Sequence, residues 1–328
     1  MQLLERIRIE RLASLVFLCL ICLLLAGCPA RQTGGKVQNS QGSYTVTDDS
    51  GYTMTLAAKP QRIVSLSYGT DEMLVELVAM DRILAFSRWA DDPEITFITA
   101  GQAVQVKKRA LPYAEALIAL RPDLIVAASS TLRPEALQTL REVGIPVYIS
   151  KSPKSLEEVK HKVGNLARVV GEENNGQRII NRMEEALQRL EEKLAPVTPD
   201  KRKCGMAFDF SGVIGSKNSL LADIFNYARI KNGALWEGGI DQGENRLSKE
   251  QIVAINPDIF LLPTWNYDGY SGVQAYRQQI MNDPAFRHVA AVRNNQVKLV
   301  SDRYRYVTSQ HVVISIEVFA QTAYPEFF

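Results

Sequence analysis

The stretch from Gly176 to Leu194 constrains the architecture most, because its apolar residues keep helical spacing for longer than one small core requires. Ile179, Met183, Ala186, Leu187, Leu190 and Leu194 recur in steps of three and four, while Arg182, Glu185, Arg189 and Glu192 fall elsewhere around the axis. Glu185 and Arg189 form a favourable i,i+4 pair, and Pro196 and Pro199 end the run. At 1.5 Å per residue the predicted helix spans roughly 28 to 30 Å, about the width of a small domain. Similar segments flank it: Glu115 to Ala127 reads EALIALRPDLIVA, and Glu250 to Leu262 reads EQIVAINPDIFLL. Each has a Glu, a short apolar helix pattern, a Pro-Asp pair seven and eight residues after the Glu, and a buried apolar strand. This internal repeat predicts two like-built lobes joined by one rigid helix.

The rest of the chain fits that plan. Tyr44 to Thr47 and Tyr52 to Leu56 alternate around Asp48-Asp49-Ser50-Gly51, which predicts a hairpin. Strands are expected at Arg62–Ser65, Ile83–Phe86, Leu124–Ala127 and Val147–Ile149, with helices at Asp71–Val78, Pro112–Leu120, Arg133–Val143 and Ser155–Val170. After the central helix the alternation restarts: strands Gly205–Phe210, Ile259–Leu262 and Val297–Val300, and helices Ser219–Tyr227, Lys249–Ile255, Val273–Met281 and Gln310–Ala323. Alternating strands and helices predict an α/β fold with parallel sheets covered on both faces.

The amino terminus reads as a targeting segment. Arg6, Arg8 and Arg11 precede an apolar run from Leu12 to Ala26, within signal-peptide range and short for a bilayer span. Leu25-Ala26-Gly27-Cys28 resembles the lipobox of bacterial lipoproteins, which implies cleavage before Cys28, lipidation there and stable membrane anchoring. Cleavage would leave Cys204 as the one free thiol and a formal charge of +1, since the leader holds three Arg against two Glu and the whole chain is +2. Residues 29–43 are Gly-, Gln-, Ser- and Asn-rich, a flexible tether of roughly 20 to 23 Å reach. The expected domains are therefore a signal peptide (1–27), lipidated Cys and tether (28–43), an N-terminal lobe (44–170), a linking helix (171–196) and a C-terminal lobe (197–328).

Several functions are disfavoured. With 38 basic against 36 acidic residues and no basic patch beyond Lys107-Lys108-Arg109, no nucleic-acid partner is expected. Neither lobe carries G-x-G-x-x-G after its first strand, and the spacing of GVIGSK, Gly212 to Lys217, is wrong for a phosphate loop. There is no G-x-S-x-G or H-E-x-x-H, no paired-Cys motif outside the leader, and His161, His288 and His311 are isolated in sequence. No catalytic set, metal site or cofactor is expected.

What remains are aromatic and basic residues just after strands, where open parallel sheets bind ligands. These are Tyr68, Arg88, Trp89, Phe210, Trp236, Trp265, Tyr267, Tyr270, Arg303, Tyr304, Arg305 and Tyr306. Rings with guanidinium groups suit a large, partly flat ligand carrying negative charge.

The hairpin VTDDSGYTMTL, then KPQRIVSLS with Glu72, the EALIALRPDLIVA repeat and the single long helix together resemble the substrate-binding lipoproteins of bacterial ABC importers for ferric siderophores, haem and cobalamin. The resemblance covers nearly all of the chain after the leader. It implies two Rossmann-like lobes bridged by one helix, a ligand between them, and one exposed Glu per lobe, here Glu115 and Glu250, that engages arginines of a permease dimer. Haem-binding members resemble one another in a Gly-Tyr-Met-Arg signature whose position here holds Lys108, which disfavours haem. Arg88, Lys107, Lys108, Arg303 and Arg305 suit an anionic ferric siderophore; a corrinoid, relying more on the rings, is the alternative. An enzyme acting on a metal chelate is a further alternative, one that needs a nucleophile-base pair not visible in the sequence.

Overall fold

The computed structural model describes residues 42–235, 247–265 and 272–328. The leader, Cys28 and all but the end of the expected tether lie outside the described residues, as do Trp236, Tyr267 and Tyr270.

Strands β1 (Tyr44–Thr47) and β2 (Thr53–Leu56) form the antiparallel hairpin, with Tyr44 opposite Leu56 and Thr47 opposite Thr53. Asp48 makes the turn: its Oδ1 accepts from the backbone of Ser50 and Tyr52 at 2.9 Å each. Its Oδ2 accepts from Ile149 N at 3.2 Å and so fastens the hairpin to the first lobe.

That lobe runs β3 (Ile63–Ser65), α1 (Tyr68–Leu77), β4 (Ile83–Ser87), α2 (Ala100–Gln105), β5 (Arg109–Ala110), α3 (Ala114–Leu120), β6 (Leu124–Ala128), α4 (Pro134–Glu142), β7 (Val147–Ser150) and α5 (Leu156–Val170). Its sheet has the order β5-β4-β3-β6-β7 with every pairing parallel. Ile63, Val64, Leu124, Ile125 and Val126 are fully buried, as strands covered on both faces must be. Helix α2 and strand β5 were not read from the sequence, although Thr99 and Gln102 form a capping box at the start of α2.

The linking helix is α6 (Glu173–Lys193), 21 residues long. It starts three residues before the expected Gly176. Gly171, at φ 72°, closes α5, and Gly176 sits inside α6 for a packing reason: a Cβ there would lie 2.4 Å from Ala167 Cβ. Ile179, Met183 and Leu190 of α6, with Leu194 just beyond it, enter a core that also contains Leu124 of one sheet and Ile259 and Leu261 of the other. Each such side chain contributes roughly 1.5–3 kcal/mol by burial, so the helix is fused to both lobes rather than strung between them.

The second lobe contains β8 (Cys204–Asp209), β9 (Gly212–Ile214), α7 (Leu220–Tyr227), β10 (Lys231–Asn232), α8 (Lys249–Ile255), β11 (Ile259–Leu262), α9 (Val273–Asn282), α10 (Ala290–Arg293), β12 (Val297–Leu299), α11 (Asp302–Arg305) and α12 (Val312–Ala323). Its parallel order is β10-β8-β11-β12, and β9, cut from the GVIGSK segment, adds antiparallel to β8.

The sequence repeat has a structural cause. In the first lobe Arg121 ends α3 in the left-handed region, and Asp123 accepts from the backbone of Gln61 and Arg62 at 2.7 and 2.8 Å, where β3 begins. In the second, Asn256 ends α8 the same way, and Asp258 accepts from Cys204 N at 2.7 Å, where β8 begins. The Pro-Asp pair thus ties the helix end to the first strand in both lobes, and the fold is two Rossmann-like lobes bridged by one helix.

Candidate functional site

A cavity of about 800 Å³ opens at the carboxyl ends of both sheets. It is walled by Ser67 and Tyr68 after β3, Arg88 and Trp89 after β4, Ser130 and Thr131 after β6, and Ser152 after β7. The second lobe supplies Phe210 and Ser211 after β8, Trp265 after β11, and Asp302 and Tyr306 after β12. Strands leave in opposite directions from β3 and again from β8, and the crevices at those switch points face the cavity.

One side of the cavity is closed by contacts between the lobes. Trp89 meets Trp265 edge to face at 5.9 Å between centroids, and Trp265 Nε1 donates to Asp92 Oδ2 at 2.9 Å. Thr264 Oγ1 donates to Glu94 Oε2 at 2.5 Å, and Tyr68 Oη donates to the Tyr306 carbonyl at 2.8 Å. Gly69 lies so close to the second lobe that a Cβ would fall 2.1 Å from Thr308 Oγ1. The Arg88 guanidinium sits 4.2 Å over the Trp89 ring and is otherwise exposed to the site.

Of the residues expected to face ligand, the structure brings Tyr68, Arg88, Trp89, Phe210, Trp265 and Tyr306 together around this cavity. It places four others elsewhere. Lys108 is exposed just before β5, where its carbonyl accepts from Phe86 N at 3.1 Å. Arg303 stacks against Phe97 and Tyr304, and Tyr304 packs edge to face on Phe97 at 5.5 Å, so both belong to the seam between the lobes. Arg305 is buried: its guanidinium pairs with Asp302 Oδ1 at 2.6 Å and donates to the Phe208 carbonyl. Asp302 Oδ2 in turn accepts from the backbone of Thr264 and Trp265 at 2.9 and 2.8 Å, so this pair holds the Trp265 loop rather than lining the cavity with charge. The cavity wall also includes Lys162 and the hydroxyls of Ser67, Ser130, Thr131 and Ser152, which were not read from the sequence.

Beneath the seam lie two buried carboxylates on α1. Glu72 Oε1 accepts from Thr96 Oγ1 and Phe97 N at 3.0 Å each, and Oε2 accepts from Ser309 Oγ of the second lobe. Asp71 accepts from the backbone and hydroxyl of Ser87. Burial pushes each up to about 7 against the opposing effect of these hydrogen bonds. The folded state therefore holds these protons more tightly than the unfolded chain, and stability falls as pH rises from about 4.5 to about 7. Glu72→Gln is expected to melt like the parent at pH 5 and higher than it at pH 8, by on the order of 3 kcal/mol in stability. Equal melting of the two at pH 8 in a thermal denaturation series would refute this assignment.

Glu115 and Glu250 occupy the first turns of α3 and α8, exposed and in no ion pair among the described residues. His161 and His288 are exposed, whereas His311 stacks on Phe97 at 4.5 Å in the seam. Neither His nor Cys is among the described residues of the cavity wall.

Two α/β lobes clasping a ring-lined cleft and fixed by a shared helix define a receptor of the binding-protein class. The chain belongs to the family described as periplasmic binding protein, matched over residues 63–304. It is 24% identical over 321 residues to an uncharacterized ABC transporter substrate-binding lipoprotein, YvrC, of Bacillus subtilis, covering 95% of this chain and 96% of that protein. It is 27% identical over 141 residues to a vitamin B12-binding protein of Vibrio parahaemolyticus, covering 43% of this chain and 50% of that one. Among solved structures, a periplasmic binding protein from Veillonella parvula superposes with a TM-score of 0.70 at 18% identity, over 86% of this chain and 91% of that chain.

Proposed function

We propose that this chain is a lipid-anchored, extracytoplasmic receptor that captures a ferric siderophore between its lobes and passes it to the permease dimer of an ABC importer. The observation that carries the reading is the cavity itself: about 800 Å³, walled by Tyr68, Trp89, Phe210, Trp265 and Tyr306 with Arg88 at its edge. That volume lies within the range of roughly 300–1,000 Å³ typical of small-molecule sites. Ring faces take up the apolar flank of a chelate, and the guanidinium meets its negative charge. The seam contacts and the shared core favour a small closing motion over a wide hinge, so the site is largely formed before cargo arrives.

Anchoring at Cys28 keeps the receptor beside its permease, and Glu115 and Glu250 are the docking carboxylates on the two lobes. The second reading is a corrinoid cargo, supported by the ring-rich wall and by the relative named for vitamin B12. Isothermal titration of the full-length protein in detergent with a ferric tricatecholate, a ferric trihydroxamate, cyanocobalamin and haem tests both. Saturable heat with a ferric chelate supports the first reading, saturable heat with cyanocobalamin replaces it by the second, and silence with all four overturns the receptor reading.

A further inference from the structure

Lys162 lies on the buried stripe of α5, beside Val159, Val163 and Leu166, and is itself only 6% exposed. An ammonium removed from water is costly unless it is paired, and a core helix would tolerate an apolar residue there at lower cost. Lys162 nevertheless makes no hydrogen bond and no ion pair among the described residues, and it lines the cleft. The carboxylates that act on it, Asp49 of the hairpin turn and Glu72 of α1, are committed elsewhere. Asp49 Oδ2 accepts from Lys151 N at 2.8 Å, and Glu72 is held by Thr96, Phe97 and Ser309. Burial, opposed by those two carboxylates, pulls the ammonium down to about 8, which leaves it charged at neutral pH.

Among the described residues, neither carboxylate of the cavity wall pairs with it. Asp302 is matched by Arg305, and Asp209 Oδ1 accepts from the backbone and hydroxyl of Ser211 at 2.7 Å each. Arg88 adds a second cation that rests on a ring rather than on a carboxylate.

We propose that Lys162 is the anion anchor of the cleft: the cargo presents an oxyanionic group to the buried ammonium, completing a charge pair that the empty receptor holds half-built. Hydroxyls of Ser67, Ser130, Thr131 and Ser152 line the same cavity and supply donors for the remaining oxygens. The cargo class that fits is a net-anionic, oxygen-rich chelate, and a neutral one of the same size forgoes this pairing. This inference rests on the receptor reading above.

The test compares the full-length parent with Lys162→Met and Lys162→Arg, titrated with a trianionic ferric tricatecholate and with a neutral ferric trihydroxamate. Lys162→Met is expected to weaken the tricatecholate at least about 30-fold, as truncating one member of a buried charge pair does. The same variant should alter trihydroxamate binding little, Lys162→Arg should restore most of the anion affinity, and the melting temperature of Lys162→Met should equal or exceed the parent's. Undiminished tricatecholate binding by Lys162→Met overturns the proposal, as does a lowered melting temperature with equal loss of both probes, the mark of a structural lysine. A parent that binds only the neutral chelate, or only cyanocobalamin, overturns the anion anchor while the receptor reading stands; a parent silent with both chelates, cyanocobalamin and haem overturns both.

Discussion

Arg305→Ala is expected to lower the stability of the folded chain by about 3–5 kcal/mol and to weaken cargo binding with it. The Arg305 and Asp302 side chains are 0% and 1% exposed and 2.6 Å apart, so the alanine variant leaves a buried carboxylate without its cation. Burial already raises the Asp302 pKa, with Arg305 opposing it, and removing the guanidinium pushes that carboxylate further toward its neutral form. The loss spreads because Asp302 also receives the amides of Thr264 and Trp265, and Arg305 also holds the Phe208 carbonyl at the end of β8. Chemical denaturation should show the full penalty for Arg305→Ala and a milder one for Arg305→Met with Asp302→Asn, which removes both charges together but keeps an acceptor for the two amides. A single variant as stable as the parent would show that the pair contributes nothing.

The second large effect concerns delivery. Glu115→Ala with Glu250→Ala is expected to reduce uptake of the bound cargo in cells by roughly 2- to 30-fold while leaving the affinity of the purified protein unchanged. Both carboxylates are exposed and stand at equivalent positions in the repeat, one per lobe, each followed by the left-handed residue and the Pro-Asp pair that fix its helix. Exposed pairs contribute about 0.2–1 kcal/mol each, which suits a reversible hand-over, so each single variant should lose less than the double. Leu111 and Tyr113, close to Glu115 in sequence, are also exposed and offer apolar contact area. Unchanged uptake by the double variant would remove these residues from the docking surface.

How much of this was legible in the sequence depended on whether a signal was local. The repeat could be read because Pro122-Asp123 and Pro257-Asp258 do a local job, closing a helix against the start of a strand, and a local job leaves a fixed spacing. The long helix was legible from its stripe, but its start was not, because Gly176 reads as a breaker until Ala167 of the neighbouring helix is seen against it. The rings of the cleft were found by their place after strands. Arg305 fell into the same pattern and was misplaced, since its burial depends on Phe208, 97 residues away, and on an i,i+3 partner that sequence alone does not orient. Lys162 carried a readable signal that was overlooked: a cation three residues after Val159 and four before Leu166 sits on the apolar stripe of its helix. Strand β9 and the short β5 left almost none, because strands of two or three residues owe their existence to the neighbour they pair with.

In the proposed receptor, cargo sits between the lobes, against Trp89 and Trp265. The most direct measurement is the metal's anomalous difference map from crystals grown with a ferric tricatecholate and, separately, with cyanocobalamin. A single peak is expected for one of them, inside the cavity bounded by Tyr68, Trp89, Phe210 and Trp265. A peak on the outer surface alone, or none with either compound at saturating concentration, would contradict it.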